Sequence, residues 1–190
     1  HLHTSGGRVP TDKAYRYFVN KLIQDGNFEP EADEKRKIKI AVRSTDDPRR
    51  LNQNIARILS DLSDSVVITK ILDESDYYKV GLASLVEFPE FKEMERIFEM
   101  ANLFDRFESM FNRIEKHFFS HLEDEFNVLI GNETPLEHIK NEAMILIRYS
   151  LPDGLRGSLT MIGPTRMDYG KNISLVKYAA DELNKLAETI

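Results

Sequence analysis

Residues 143–162 read AMILIRYSLPDGLRGSLTMI. Ala143 to Ser150 and Gly157 to Ile162 are apolar, β-rich runs of strand length. Between them stands Pro152-Asp153-Gly154: a proline that fixes φ, an aspartate that bonds its own backbone, and a glycine free to take positive φ. Two such runs with that punctuation predict a β-hairpin. A shorter run, Phe126 to Ile130, comes before it. After it, Ile173, Val176, Ala180, Leu183 and Leu186 recur at the spacing of an amphipathic helix.

Working back toward the start, Val66 to Leu72 and Val80 to Val86 predict two neighbouring strands joined through the polar Asp73-Glu74-Ser75-Asp76. Leu51, Ile55, Ile58, Leu59 and Leu62 form one apolar stripe behind Pro48, which is tolerated at a helix start. Ile38, Ile40 and Val42 alternate like a strand, yet Ile38, Ala41 and Val42 also fit a helix face with Glu31, Asp33 and Glu34 near its positive end. The helix is the preferred reading. Tyr15, Phe18, Val19, Leu22 and Ile23 make a further amphipathic helix between a start signal at Pro10-Thr11-Asp12 and a stop at Asp25-Gly26, and residues 27–34 read as a polar linker. Phe91, Met94, Ile97, Phe98 and Ala101, then Phe104, Phe107, Met110, Phe111, Ile114 and Phe118, give two helical stripes or one bent helix. Helices mixed with short, partly antiparallel strands imply an α+β fold.

The chain has 190 residues, enough for one substantial core. Apolar residues at 41% and charged residues at 31% describe a globular protein, and no apolar run reaches the length of a membrane helix. With no cysteine, disulfides and thiolate metal sites are excluded, and His1 to Gly7 lacks the regions of a secretory signal, so the cytoplasm is the expected address. A net charge of -6 argues against a surface that wraps nucleic acid unaided. The chain opens on His1-Leu2-His3 in mid-pattern without a methionine and reads as a fragment.

Two segments resemble a known family. His3-Thr4-Ser5-Gly6-Gly7-Arg8-Val9-Pro10-Thr11-Asp12-Lys13-Ala14-Tyr15-Arg16-Tyr17 is similar to the stretch by which HrcA repressors leave their winged helix-turn-helix domain and enter a linker helix. Ile162-Gly163-Pro164-Thr165-Arg166-Met167-Asp168-Tyr169 resembles that family's C-terminal signature, which also precedes an apolar helix. Between them, Phe88-Pro89-Glu90-Phe91 and Asn127-Val128-Leu129-Ile130-Gly131-Asn132-Glu133 resemble its regulatory domain. Members usually carry Ala where Gly6 stands and Gly where Ala14 stands, and both exchanges are small for small.

The resemblance implies a GAF-like domain, with a short mixed or antiparallel sheet flanked by helices, preceded by a linker helix. Residues 1–26 would be the end of the DNA-binding wing and that helix, and residues 27–190 the regulatory and dimerising domain. The family's GAF-like domain is interrupted by an inserted dimerising domain, for which the connection from Leu72 to Val80 is too short, so a shortened relative is expected. The implied function is negative regulation of chaperone genes: a homodimer binds an inverted-repeat operator and responds to the GroEL chaperonin. The recognition helix would lie before His1, leaving Arg8, Lys13 and Arg16 as the expected phosphate contacts.

Other features weigh less. Ser5-Gly6-Gly7-Arg8 is either a phosphate cradle or a flexible turn. In Gly163-Pro164-Thr165-Arg166-Met167-Asp168, the spacing of Thr165 and Asp168 favours a helix cap over an anion site. His117 and His121 share a helix face at zinc spacing, but Phe118 stands where a metalloprotease places Glu, so no metal or cofactor is expected. Glu87, Glu90, Glu93 and Glu95 alternate with Lys92 and Arg96 as a solvated face does. No nucleophile motif stands out, and the chain is read as no enzyme. Phe118 and Phe119 cannot both face inward on one helix, which makes them a candidate dimer surface. The alternative function is a GAF-like small-molecule sensor, against which stands the lack of a convergent polar set around an apolar pocket.

Overall fold

A computed structural model describes residues 10–26, 28–72, 74, 76–83, 126–134 and 140–189, with isolated helical positions between 94 and 109. Arg8, His117, Phe118, Phe119, His121 and the Glu87 to Glu95 set lie outside the described residues.

The expected hairpin is present and central. Strands β4 (Glu142–Ser150) and β5 (Arg156–Pro164) pair antiparallel, with Ser150 opposite Arg156, and the turn puts Asp153 and Gly154 at positive φ. Strand β3 (Phe126–Ile130) joins the far side of β4, while β1 (Val66–Ile71) joins β5 and carries β2 (Asp76–Val80) at the edge. All four pairings are antiparallel and the order is β2-β1-β5-β4-β3. The α+β expectation holds.

The second strand sits earlier than the apolar run Val80 to Val86 suggests. Ile71 pairs with Asp76 directly across a four-residue turn, so pairing begins at once and runs through Tyr77, Tyr78 and Lys79. An edge strand tolerates such residues because one side of it meets no further strand. Gly81, at φ +93°, ends the strand where a Cβ would fall 2.3 Å from Ser60 Oγ, and Leu82 and Ala83 are helical.

Helix α1 (Asp12–Asp25) starts at Thr11 and stops at a left-handed Gly26. Helix α2 (Ala32–Val42) resolves the ambiguous Ile38 region as helix, and the Glu34 carboxylate reaches back to the Glu31 N–H at 3.0 Å. Helix α3 (Pro48–Ser63) has Asp47 as its cap, accepting from the N–H groups of Arg49 and Arg50 at 2.9 and 3.0 Å. Helix α4 (Tyr169–Thr189) closes the chain.

Strand alternation sorts the sheet into two faces. Val67, Met161, Ile145 and Val128 lie in one register row and belong to a core completed by Leu51, Ile55 and Leu59 of α3 and Ile173, Val176 and Leu183 of α4. Helix α3 packs along β1 and β2, α4 along β4, and α2 lies against both helices. Val66, Ile68, Met144, Leu146 and Ile162 point to the opposite face and are buried as well. A sheet buried on both sides explains why β4 reads as a nearly continuous apolar run. Of the expected Phe-rich stripe, Met94 and Phe98 are exposed and Ile97 and Ala101 half-buried. No helix among the described residues is long and apolar enough to cross a membrane.

Candidate functional site

Three of the four strings that carry the resemblance meet, in their described parts, at one corner of the molecule. Helix α1 brings Asp12, Tyr15, Arg16 and Val19 to that corner, the 131–133 turn after β3 brings Gly131, Asn132 and Glu133, and the start of α4 brings Tyr169.

Asp12 accepts from the backbone N–H of Asn132 at 3.1 Å and from its side-chain amide at 2.9 Å. Gly131 takes φ +52°, and a Cβ there would come within 2.4 Å of the Asp12 carboxylate, so glycine both forms the turn and admits the helix. One turn along α1, Arg16 grips Glu133 with two bonds, Nε donating at 2.8 Å, and it also donates to the Val128 carbonyl at 2.5 Å. Glu133 is itself fixed by the Ile130 N–H at 2.9 Å. A two-pronged guanidinium–carboxylate pair is the geometry in which a surface ion pair contributes most. Below it, Val19 is wholly buried in the core. An open groove of about 950 Å³ runs between α1 and the turn, bordered by Tyr17 and Asn20.

The Gly163 to Tyr169 segment docks the other side. Gly163 lets β5 approach Ser65, whose Oγ would stand 3.2 Å from a Cβ. The Pro164 carbonyl accepts from Met167 N at 2.8 Å to turn the chain, and Thr165 N donates to the Asn141 carbonyl at 3.1 Å. Asp168, not Thr165, caps the helix: its Oδ1 accepts from Lys171 N at 3.0 Å. Thr165 lies outside the helix, where its carbonyl accepts from the Tyr169 hydroxyl at 2.7 Å. Arg166 is exposed. Burial pushes the Tyr169 phenol well above its ordinary pKa, with the nearby Tyr15 adding to the shift, so it stays a donor. Its ring lies 6.0 Å from that of Tyr15.

A family profile described as the HrcA protein C terminal domain matches residues 18–173. The chain belongs to the HrcA family. It is 32% identical to the heat-inducible transcription repressor HrcA of Thermoanaerobacter pseudethanolicus over 148 residues, covering 76% of this chain and 41% of that protein. Against the HrcA of Syntrophobacter fumaroxidans it is 31% identical over 184 residues, 96% of this chain and 49% of the relative. It thus spans less than half the length of these relatives. A crystal structure of a hypothetical protein superposes with a TM-score of 0.69 at 16% identity, covering all of this chain and 82% of that one. Together with the strand order, that likeness marks the fold as GAF-like.

The corner joins α1 to the turn after β3 and to the start of α4. The boundary expected after residue 26 does not detach α1, since Val19 belongs to the common core. Arg16, expected as a phosphate contact, turns its guanidinium onto Glu133 and Val128. Lys13 is exposed on the first turn of α1. Asp12 and Glu133 were not singled out by sequence reading. Glu133 does lie in a string that carries the resemblance, but only the fold sets it opposite Arg16.

Proposed function

We propose that this chain is the regulatory and dimerising half of a heat-inducible transcription repressor, and that the α1 corner holds the DNA-binding half in a fixed orientation. The observation that carries this reading is the convergence of Asp12–Asn132, Arg16–Glu133 and Tyr15–Tyr169 on the helix that a DNA-binding domain would precede. Operator recognition needs two reading heads held at one spacing, and a helix clamped at its first turns transmits the dimer's geometry to them. On this reading the partners are an inverted-repeat operator, contacted through residues preceding this chain, a second copy of the chain, and the GroEL chaperonin. The protein is cytoplasmic and not an enzyme. On this reading Arg8 and Lys13 meet operator phosphate, and Phe118 and Phe119 contribute to pairing.

Fusing the DNA-binding half of the Thermoanaerobacter pseudethanolicus relative ahead of this chain tests the reading by gel retardation. The fusion should bind an inverted-repeat duplex with an affinity that falls steeply with salt, and the chain alone should not bind at about 150 mM salt. Glu133→Gln in the fusion should weaken operator binding while leaving single half-site binding unchanged. A fusion that ignores the inverted repeat, or a Glu133 variant that binds as the parent does, would remove the proposal.

A further inference from the structure

Helix α1 has two sides, and the fold uses one of them. Val19 is wholly buried, and Tyr15 and Leu22 pack against the core. On the opposite side Lys13, Tyr17, Lys21 and Asp25 follow one another at four-residue spacing and so form a single ridge. All four are exposed, Tyr17 by 76%, and Phe18 beside it is exposed by 50%.

The end charges of this ridge stand against their own helix. Lys13 lies in the first turn, at the positive end of the helix dipole, and Asp25 is the last helical residue, at the negative end. Among the described residues, Lys13, Lys21 and Asp25 make no side-chain hydrogen bond or ion pair that would offset this. Tyrosine is a weaker helix former than alanine, so an exposed Tyr17 gains the helix nothing either.

Turned end for end, the ridge complements itself. Two copies of α1 packed antiparallel, about a two-fold axis midway between Tyr17 and Lys21, set Lys13 opposite Asp25 and Tyr17 opposite Lys21, each twice. Every unfavourable end charge then meets its opposite, and each Lys21 ammonium meets a tyrosine ring. Parallel pairing would instead set Lys13 against Lys13 and Asp25 against Asp25. Four-residue ridges lying alongside one another are the commonest form of helix packing, at a crossing angle of about −50°.

We infer that the outer ridge of α1 is a contact between two copies of this chain, made by antiparallel pairing of the helices. The partner is a second copy because one surface carries both halves of the charge complement, which is what a two-fold contact requires. An ammonium has three N–H donors, so Lys13 can bond Asp25 of the second copy and still meet phosphate. The pairing deepens the repressor reading. At a rise of 1.5 Å per residue the two helix starts lie about 20 Å apart, at opposite ends of the pair, so ridge and corner together fix the spacing of the two DNA-binding halves. That consequence rests on the repressor reading, whereas the pairing itself does not.

The chain has no cysteine, so introduced ones report the register directly. Lys13→Cys and Asp25→Cys proteins, mixed under mild oxidation, should form a disulfide-linked dimer of the two variants, identified by mass. Each variant alone should give at least tenfold less, because positions 13 of the two copies lie about 18 Å apart along the pair, beyond disulfide reach. Tyr17→Asp in both proteins, an exposed change that leaves the core side of α1 intact, should lower the mixed yield at least tenfold. No mixed dimer, equal cross-linking of either variant alone, or a yield that survives Tyr17→Asp overturns the pairing. So does a mixed dimer that forms in the chain but is lost in the fusion, which would give the ridge to the DNA-binding half instead. Operator binding by the fusion is a separate readout, so each of these results leaves the repressor reading standing.

Discussion

Gly157 and Tyr149 face each other across β4 and β5, and the pair shows what one missing methyl group does in this sheet. A Cβ on Gly157 would stand 2.3 Å from Tyr149 Cε2 and 2.6 Å from Cζ, so the ring lies flat over the glycine. The ring cannot swing away, because its hydroxyl donates to buried Asn52 Oδ1 at 2.6 Å, and burial keeps that phenol protonated far past its ordinary range. Gly157→Ala must displace a fixed aromatic and should cost about 1–3 kcal/mol, seen as a lower urea midpoint at unchanged slope. Tyr149→Phe keeps the packing but strands the Asn52 carbonyl, and should cost a similar 1–3 kcal/mol. A Gly157→Ala protein with the parent's midpoint would mean that the ring is free to move.

Among the elements, those with local signals were legible. Helix α3 follows from one apolar stripe behind an aspartate cap and a proline, and the β4–β5 hairpin from two apolar runs around Pro152-Asp153-Gly154. The cap also makes a pH prediction. Backbone N–H groups, first that of Arg50, hold the Asp47 carboxyl below its ordinary value of 3.8. A depressed carboxyl contributes stability that is present above the unfolded pKa and is lost as pH falls through the folded one. Asp47→Ala should therefore melt lower than the parent at pH 7 and at pH 5, and the gap should close below about pH 4. A gap that stays constant to pH 2 would assign the loss to something other than the ionised cap. Strand β2 was misplaced because its position is set by the turn from Ile71 to Asp76, whereas apolarity draws the eye to Val80 to Val86. The spacing of Thr165 and Asp168 does report a cap at the start of α4, but which of the two serves depends on the turn at Pro164 and Met167, which holds Thr165 outside the helix.

At the scale of the whole molecule, the least legible feature is how far the core extends. A polar stretch at residues 27–34 reads as a linker and places a domain line after residue 26, and local sequence offers no sign that Val19, before that line, is buried beneath contacts from β3 and α4. Such contacts join segments from opposite ends of the chain, as does the pairing of β1 with β5, and no short window of sequence reports them. The consequence can be measured. If α1 were an independent arm, a chain of residues 27–190 would unfold at the same urea concentration as the whole. Because α1 buries Val19 completely and Tyr15 and Leu22 in part, its removal should expose apolar core and lower stability by about 2 kcal/mol or more. Arg16→Met in the full chain separates the two contributions to docking. It removes the Glu133 pair but leaves Val19 in place, so hydrogen exchange should quicken in the first turns of α1 while the urea midpoint moves little. Equal midpoints for the full chain and for residues 27–190 would show that the helix rests on the domain without stabilising it, and an orientation set by the corner could then not be passed to a DNA-binding half.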